Sequence, residues 1–437
     1  MNSLKNKSLL YFIPILAFWV SGILFVHNYG VNIPAGDEWL QLEYICKMST
    51  GTLRFIDLFA QQNEHRQFIY RLCYLVNYFI KPWSLVNIMY VSQAVVLVKT
   101  CLLLLLASKE VKICWATPIF ISAAMFSFVQ VDSFLVATGL YHNLFSTFCI
   151  AAIYSFFTVK NFPIKIISSY LFCVFSLLTG GSGVLSFIII VPLIMIPMNG
   201  ISEGNEKYRK TILLIWMTLS FIPLALYFYD FNSAAVLSGK RIPGLRQFFA
   251  YFVGFLGNIF YDSLGATISR LAGFTILVLY LFVLFHDYKQ YPKLLAIASF
   301  GLLNGLLATV SRANVLSVDD AFTSRYATHS LLTFVGVVLI LLDKLPKKKI
   351  RRVIMYTVLC CMVILSLHSI PLAENHKIAL ITSQEALRRI ISTGDIESNY
   401  KYLWWHKRDL KIIFNLVKET KLDISGFTGV HKSATEQ

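Results

Sequence analysis

The sequence predicts an all-α polytopic membrane protein, and three observations lead there. Of 437 residues, 57% are hydrophobic and only 14% charged, where soluble domains carry roughly a quarter charged. Apolar runs of about 18 to 25 residues recur along nearly the whole chain, and a helix needs about 20 to cross the hydrocarbon core. Lysines and arginines gather in alternate connections between those runs, the signature of cytoplasmic loops.

The first run, LLYFIPILAFWVSGILFVH (9–27), follows Lys5 and Lys7 with no small-residue cleavage site behind it. It predicts a retained span with a cytoplasmic amino terminus. Further spans fall near 83–107, 113–130, 143–159, 164–179, 184–199, 211–229, 264–285, 294–310, 328–342 and 353–370, about eleven in all. With that count Lys109 and Lys112, Lys160 and Lys165, Lys207, Arg209 and Lys210, Lys289 and Lys293, and KLPKKKIRR (344–352) all lie on the cytoplasmic side. Two further apolar stretches, 68–80 and 247–261, are too short to cross, and the first contains Arg71. They predict interfacial helices. The net charge of +16 therefore reads as topology signal and contact with anionic membrane lipids, not as a nucleic-acid surface.

The eight cysteines lie mostly inside spans, with no CxxC pair and no Cys/His cluster at metal-ligand spacing. That composition argues against thiol redox chemistry and structural zinc. Cys46 and Cys73 share the extracytoplasmic side, which leaves a disulfide between them open.

The loop 28–82 is the largest extracytoplasmic connection before the tail. It opens on PAGDEWLQLEY (34–44), which sets Asp37 and Glu38 just past the first span. Trp39, Leu42, Ile45 and Cys46 recur at helical spacing, with Glu43 and Lys47 paired on the other side, predicting an amphipathic helix on the membrane surface with Trp39 as anchor. Neighbouring helical residues point in different directions, so one of Asp37 and Glu38 acts and the other supports. After a turn at STGT, LFAQQNEHRQFIYRL (58–72) brings Glu64, His65, Arg66 and Arg71 to the same platform.

The order of first span, acidic pair, amphipathic helix, glycine turn, EHR segment, short helix and second span resembles the first hundred residues of the GT-C superfamily of membrane glycosyltransferases. FVQVDSFLVATGLYHNL (128–144) and AFTSRYATHS (321–330) add shorter similarities. In size, span number and short polar tail the chain looks most like the phage-encoded serotype-converting O-antigen glucosyltransferases. That resemblance implies a GT-C-like fold in the bacterial inner membrane. The active site and carboxyl terminus would be periplasmic. It also implies undecaprenyl-phosphate glucose as donor, lipid-linked O-antigen as acceptor, and dependence on a separate donor synthase and flippase.

Such a transfer needs a base for the acceptor hydroxyl proton and cations for the departing phosphate. Asp37 is the candidate base, with Glu38 as its support. Arg66, Arg71, Arg312 and Arg325 are the candidate phosphate ligands, since a guanidinium fork matches phosphate; each also has the alternative of resting against lipid head groups. Lys81 and Lys240 offer less directional contacts. Glu64, His65, Tyr326, Trp404 and Trp405 are candidates for support and acceptor stacking, the two tryptophans having interface anchoring as their alternative. SVDDAF (317–322) leaves a divalent ion shared by Asp319, Asp320 and the acidic pair open, and no metal or cofactor is assigned.

Other features read as structural: TGGSG (179–183) as a tight turn, Asp132 and His142 as solvated, Asn304 as an interhelical hydrogen bond, and Lys99 as a side chain reaching the interface. The chain divides into a transmembrane domain over 1–370 and a charged tail over 371–437, expected as one or two helices over the active-site mouth. A lipid or sugar transporter and an O-antigen polymerase remain as readings from other classes.

Overall fold

Helix, and no strand, forms wherever the chain is described, because every apolar run must satisfy its own backbone in lipid. The computed structural model describes residues 10–62, 65–195, 206–232, 244–314, 317–403, 407–420 and 424–428. Helices α1 (Ile13–Tyr29), α2 (Gln41–Ser49) and α3 (Phe68–Ile80) precede a long helix α4 (Leu85–Ala107). Then come α5 (Ala116–Met125), α6 (Val131–Leu135), α7 (Gly139–Thr158), α8 (Phe162–Thr179), α9 (Val184–Met195) and α10 (Glu206–Phe228). The second half holds α11 (Leu245–Gly257), α12 (Tyr261–Asp287), α13 (Pro292–Arg312), α14 (Ala327–Lys344) and α15 (Lys348–His368). The tail adds α16 (Ile370–Thr393), α17 (Ile396–Asn399) and α18 (Lys407–Glu419).

Each of the eleven predicted spans appears as a helix. Nine segments among the described residues are long and apolar enough to cross a membrane. The other two predicted spans, α1 and α9, run for 17 and 12 described residues, and α9 ends where the described residues stop. The stretches predicted to be interfacial form the 13-residue helices α3 and α11. The latter packs on the 318–322 turn, where Asn258 Nδ2 donates to the carbonyls of Ala321 (3.2 Å) and Thr323 (2.8 Å).

The two ends of the bundle differ in chemistry. At one, acidic side chains secure the basic connections: Glu110 accepts from the Lys293 (2.7 Å) and Leu294 (2.9 Å) amides, and Lys344 pairs with Asp287 at 2.7 Å. At the other, the first loop, the turns at 136–138 and 180–183, the segment 317–326 and the tail come together.

Two expectations are corrected here, those for α2 and Lys99, and the open question of a disulfide is answered. The apolar face of α2 meets protein and not the membrane. Trp39, Leu42, Ile45 and Cys46 are all fully buried; the Trp39 indole donates to the Leu403 carbonyl at 3.0 Å and its ring lies 5.9 Å from Phe414 of α18. The tail thus covers the first loop. Cys46 and Cys73 are free thiols, Cys46 taking a 3.6 Å contact from the Thr420 hydroxyl. Lys99 does not reach the interface: it is fully buried, and its ammonium donates to Asn143 Oδ1 at 2.6 Å.

Arg71 is built into the loop's interior. Its guanidinium donates to the carbonyls of Leu58 (2.8 Å) and Ala60 (2.6 Å) and lies 4.6 Å over the Tyr44 ring. Arg71→Ala is expected to destabilise the protein by about 3 kcal/mol, because two buried carbonyls lose their donor. Thermal melting in detergent checks this; an unchanged melting temperature combined with lost activity would assign Arg71 to ligand binding instead.

Candidate active site

Asp37 is presented by a one-turn helix, Gly36–Leu40. Gly36 enters it at φ +56°, a conformation that glycine adopts without a Cβ penalty. The neighbouring Glu38 holds the turn in place. Fully buried, it accepts from the Ala35 amide at 2.9 Å and, across to the start of α7, from the Thr138 amide at 2.7 Å. The two carboxylates therefore differ in setting: Glu38 is buried and locks the loop to the bundle, and Asp37 is half-buried.

Burial pushes the Glu38 carboxyl up to about 7, against the opposing pull of the Ala35, Thr138 and Ala137 amides and with Asp37 nearby adding to the rise. A carboxyl raised on folding binds its proton more tightly in the folded state. Its contribution is complete below the ordinary value of 4.5 and is lost as pH rises through about 7, a change of about 3 kcal/mol. Melting temperature is thus expected to fall between pH 5 and 8 more steeply for wild type than for Glu38→Gln. Parallel pH profiles would show that Glu38 does not titrate in that window.

Below this loop a cavity of about 280 Å³ opens between α7, α10, α13 and α14. Its rim carries His65, Arg312, Tyr326, Gly181 and Ser182; its floor is made by His142, His329, Asn304 and Phe145. Asn304 precedes Arg312 by eight residues on α13, so the cavity descends about 12 Å along that helix.

His65 is placed by a short bridge in which it exchanges two backbone hydrogen bonds with Gln62 (2.8 and 2.9 Å), and its Nδ1 accepts from the Gly181 amide at 3.3 Å. The TGGSG segment makes both the tight turn and part of the cavity wall. A Cβ on Gly183 would stand 2.1 Å from the Ser176 carbonyl, so only glycine lets the turn fold back on α8. Arg312 Nη1 donates to the Tyr326 hydroxyl at 2.7 Å, and Arg312 and Arg325 flank that ring at 5.8 and 5.7 Å. Tyr141 and Tyr326 both stand on the cavity wall. Arg312 thus lines the cavity with Arg325 against the same Tyr326 ring, while Asp37 stands on the turn whose next residue, Glu38, is bonded to the start of α7.

Arg66 stands apart from that group. It donates to the carbonyls of Phe59 (2.8 Å) and Tyr229 (2.6 Å), and its own amide donates to the Tyr227 hydroxyl at 2.9 Å. It therefore ties the first loop to the end of α10. It also lines a second, apolar groove of about 400 Å³ with Ile56, Phe59, Leu226 and Tyr229. Tyr227 borders both spaces.

No family model matches this chain. No curated protein matches it either. Among solved structures, the oligosaccharyltransferase of Archaeoglobus fulgidus, tethered to an acceptor peptide by a disulfide bond, is similar at 13% identity and a TM-score of 0.43. The match covers 89% of this chain and 59% of that one. At that level it carries nothing about activity, substrates or partners, which rest on the site itself.

The sequence-predicted residues thus separate by position. His65, Arg312 and Tyr326 line the cavity, Arg325 lies 5.7 Å from the Tyr326 ring, and Asp37 is not among the lining residues. Glu38, Arg66 and Arg71 hold the loop. Glu64, Trp404, Trp405 and Lys240 lie outside the described residues. Asp319 pairs with Arg270 at 2.5 Å and not with the acidic pair.

Two expectations change. His142 is buried on the cavity floor rather than solvated, and Asn304, whose amide donates to its own helix at Phe300 (2.8 Å), faces the cavity instead of a neighbouring helix. His329 was not singled out at all. The signal lay in SRYATHS: His329 follows Tyr326 by three residues, one turn down the same face.

Proposed function

We propose that this chain is a GT-C-type glucosyltransferase of the bacterial inner membrane. It would move glucose from undecaprenyl-phosphate glucose to lipid-linked O-antigen on the periplasmic side and so change the antigen's serotype. The observation that carries the reading is Arg312 lining a cavity, with Arg325 against the same Tyr326 ring, at the end of the bundle where Asp37's neighbour Glu38 is bonded to the start of α7. The apolar groove beside it, reaching Tyr227 from the lipid-facing surface, offers a prenyl chain a place to lie while its phosphate approaches the rim.

In this mechanism the acceptor hydroxyl attacks the anomeric carbon as the bond to the lipid phosphate breaks. Asp37 takes the hydroxyl proton as the carbon develops oxocarbenium character. The charge that grows on the departing phosphate is met by Arg312 and Arg325, which gain more in the transition state than in the ground state. A new carbon–oxygen bond replaces the old one, and the polyprenyl phosphate leaves. The resemblance supplies the identity of the sugar and of the acceptor.

A second reading, a sugar or lipid transporter, is favoured by Lys99, a fully buried cation well inside α4, since intramembrane charges mark transport pathways. Its bond to Asn143, which in turn donates to the Ser92 hydroxyl at 3.0 Å, also serves to pin α4 to α7.

The deciding experiment supplies purified protein in bacterial lipid with undecaprenyl-phosphate [¹⁴C]glucose and O-antigen acceptor. Glucosylated acceptor is expected. Movement of the labelled donor across the bilayer without transfer would replace the enzyme with a transporter, and growth of O-antigen chain length without label would point to a polymerase.

A further inference from the structure

Helix α11 presses on the site from outside. Of its described residues only Phe255 lines the cavity, yet one face of the helix holds the chain beside both Arg312 and Arg325. Gln247, Tyr251, Gly254 and Asn258 follow one another at helical spacing along that face, Asn258 keeping helical angles where α11 ends. Gln247 Nε2 donates to the carbonyl of Ala313, the residue that caps α13 directly after Arg312. Tyr251 is fully buried and shares a cluster with Ala313 and Ala321. Gly254 lets the facing segment close in, since a Cβ there would stand 3.2 Å from that of Ala321. Asn258 Nδ2 donates to the carbonyls of Ala321 (3.2 Å) and Thr323 (2.8 Å), the latter two residues before Arg325. Between these anchors the Phe255 ring lies 5.1 Å from the ring of Tyr326, which both guanidinium groups flank.

Arg312 ends one helix and Arg325 sits in a separate one-turn helix, Ser324–Tyr326. Neither segment by itself sets the distance between the two cations, whereas α11 bonds to the backbone next to each. Gln247 also gives a partner to a carbonyl at a helix end, where the helix itself offers none. The side chains on this face are uncharged, so what α11 supplies is placement. Two donors that meet one phosphate must hold their separation before the reaction begins, and a misplacement of about 1 Å can cost on the order of 100-fold.

We infer that the inner face of α11 is a template for the phosphate site, with Gln247 and Asn258 as positioning residues that set the separation of Arg312 and Arg325 through the backbone on which each stands. This rests on the glycosyltransferase reading above, in which those arginines meet the donor phosphate. Gln247 acts through Arg312 and Asn258 through Arg325. Each therefore matters to the ligand only while its arginine is present.

The test is a pair of double-mutant cycles read as affinity for prenyl phosphate, with the protein in nanodiscs. Asn258→Ala is expected to weaken binding roughly tenfold in the wild-type background, and by less than about twofold when Arg325→Ala is already present. Gln247→Ala is expected to depend in the same way on Arg312→Ala. A merely structural role predicts the same factor in both backgrounds. Melting temperatures identify the folded variants. Gln247 is half-buried near the start of α11, so its cycle decides the matter if Asn258→Ala does not fold.

Equal factors in the two backgrounds, or no loss in the single variants, would overturn the template and leave the glycosyltransferase reading in place. Coupling in the cycles without glucose transfer by wild type would uphold the template and remove that reading. Failure of wild type to bind prenyl phosphate would overturn both.

Discussion

Asp37→Asn is expected to lower glucosyl transfer by roughly 10²- to 10⁴-fold, the usual contribution of a positioned general base, with melting temperature and donor binding nearly unchanged. The substitution preserves shape and removes only the ability to accept a proton. The structure makes the result interpretable, because the lock on the loop belongs to the neighbour: Glu38 holds the Ala35 and Thr138 amides. Glu38→Gln should therefore act first on stability and on transfer only through the loop. The measurement is the initial rate with saturating donor and acceptor at matched protein levels. Normal transfer by Asp37→Asn would remove Asp37 from the chemistry and require another base at the same opening.

The second large effect is expected at Arg312. Arg312→Ala should reduce transfer roughly 10²- to 10³-fold, the scale seen when one preorganised donor to a developing negative charge is lost. Arg312→Lys should fall between, keeping charge but losing the fork that matches phosphate. Tyr326→Phe separates positioning from charge. It deletes the 2.7 Å hydrogen bond that orients the guanidinium and leaves the cation in place, so a loss of about tenfold or less is expected. If Tyr326→Phe were as damaging as Arg312→Ala, the hydroxyl itself would have to touch substrate. Comparing kcat with KM in each variant distinguishes charge stabilisation from ground-state binding, since loss of transition-state stabilisation lowers kcat and kcat/KM together.

The roles of the arginines show where linear reasoning stops. Four were candidates for phosphate, because a guanidinium near the end of a span looks much the same in sequence wherever it points. Folding sends two of them to backbone carbonyls: Arg71 to Leu58 and Ala60 of the first loop, Arg66 to Phe59 of that loop and to Tyr229 at the end of α10. A loop that packs between helices without regular structure must satisfy its carbonyls from somewhere, and nearby arginines supply the donors. Trp39 was misread for a related reason. An apolar helical face must be covered, but composition does not say whether lipid or α18 covers it.

The residues themselves determine the class of this protein, the places where its helices run and which end of the bundle carries the basic connections. Those properties follow from local chain physics: apolar length against bilayer thickness, and charge in short loops. The sequence also places the two carboxylates side by side just past the first span, but that Glu38 is the fully buried one, bonded to the Ala35 and Thr138 amides, is read only from the structure. Only the tertiary structure decided which distant side chains share the cavity. His65, His142, Asn304 with Arg312, and His329 come from four separate segments, and no periodicity links those segments. Their meeting depends on how α7, α10, α13 and α14 pack, a property of complementary surfaces far apart in the chain and therefore invisible to any local pattern.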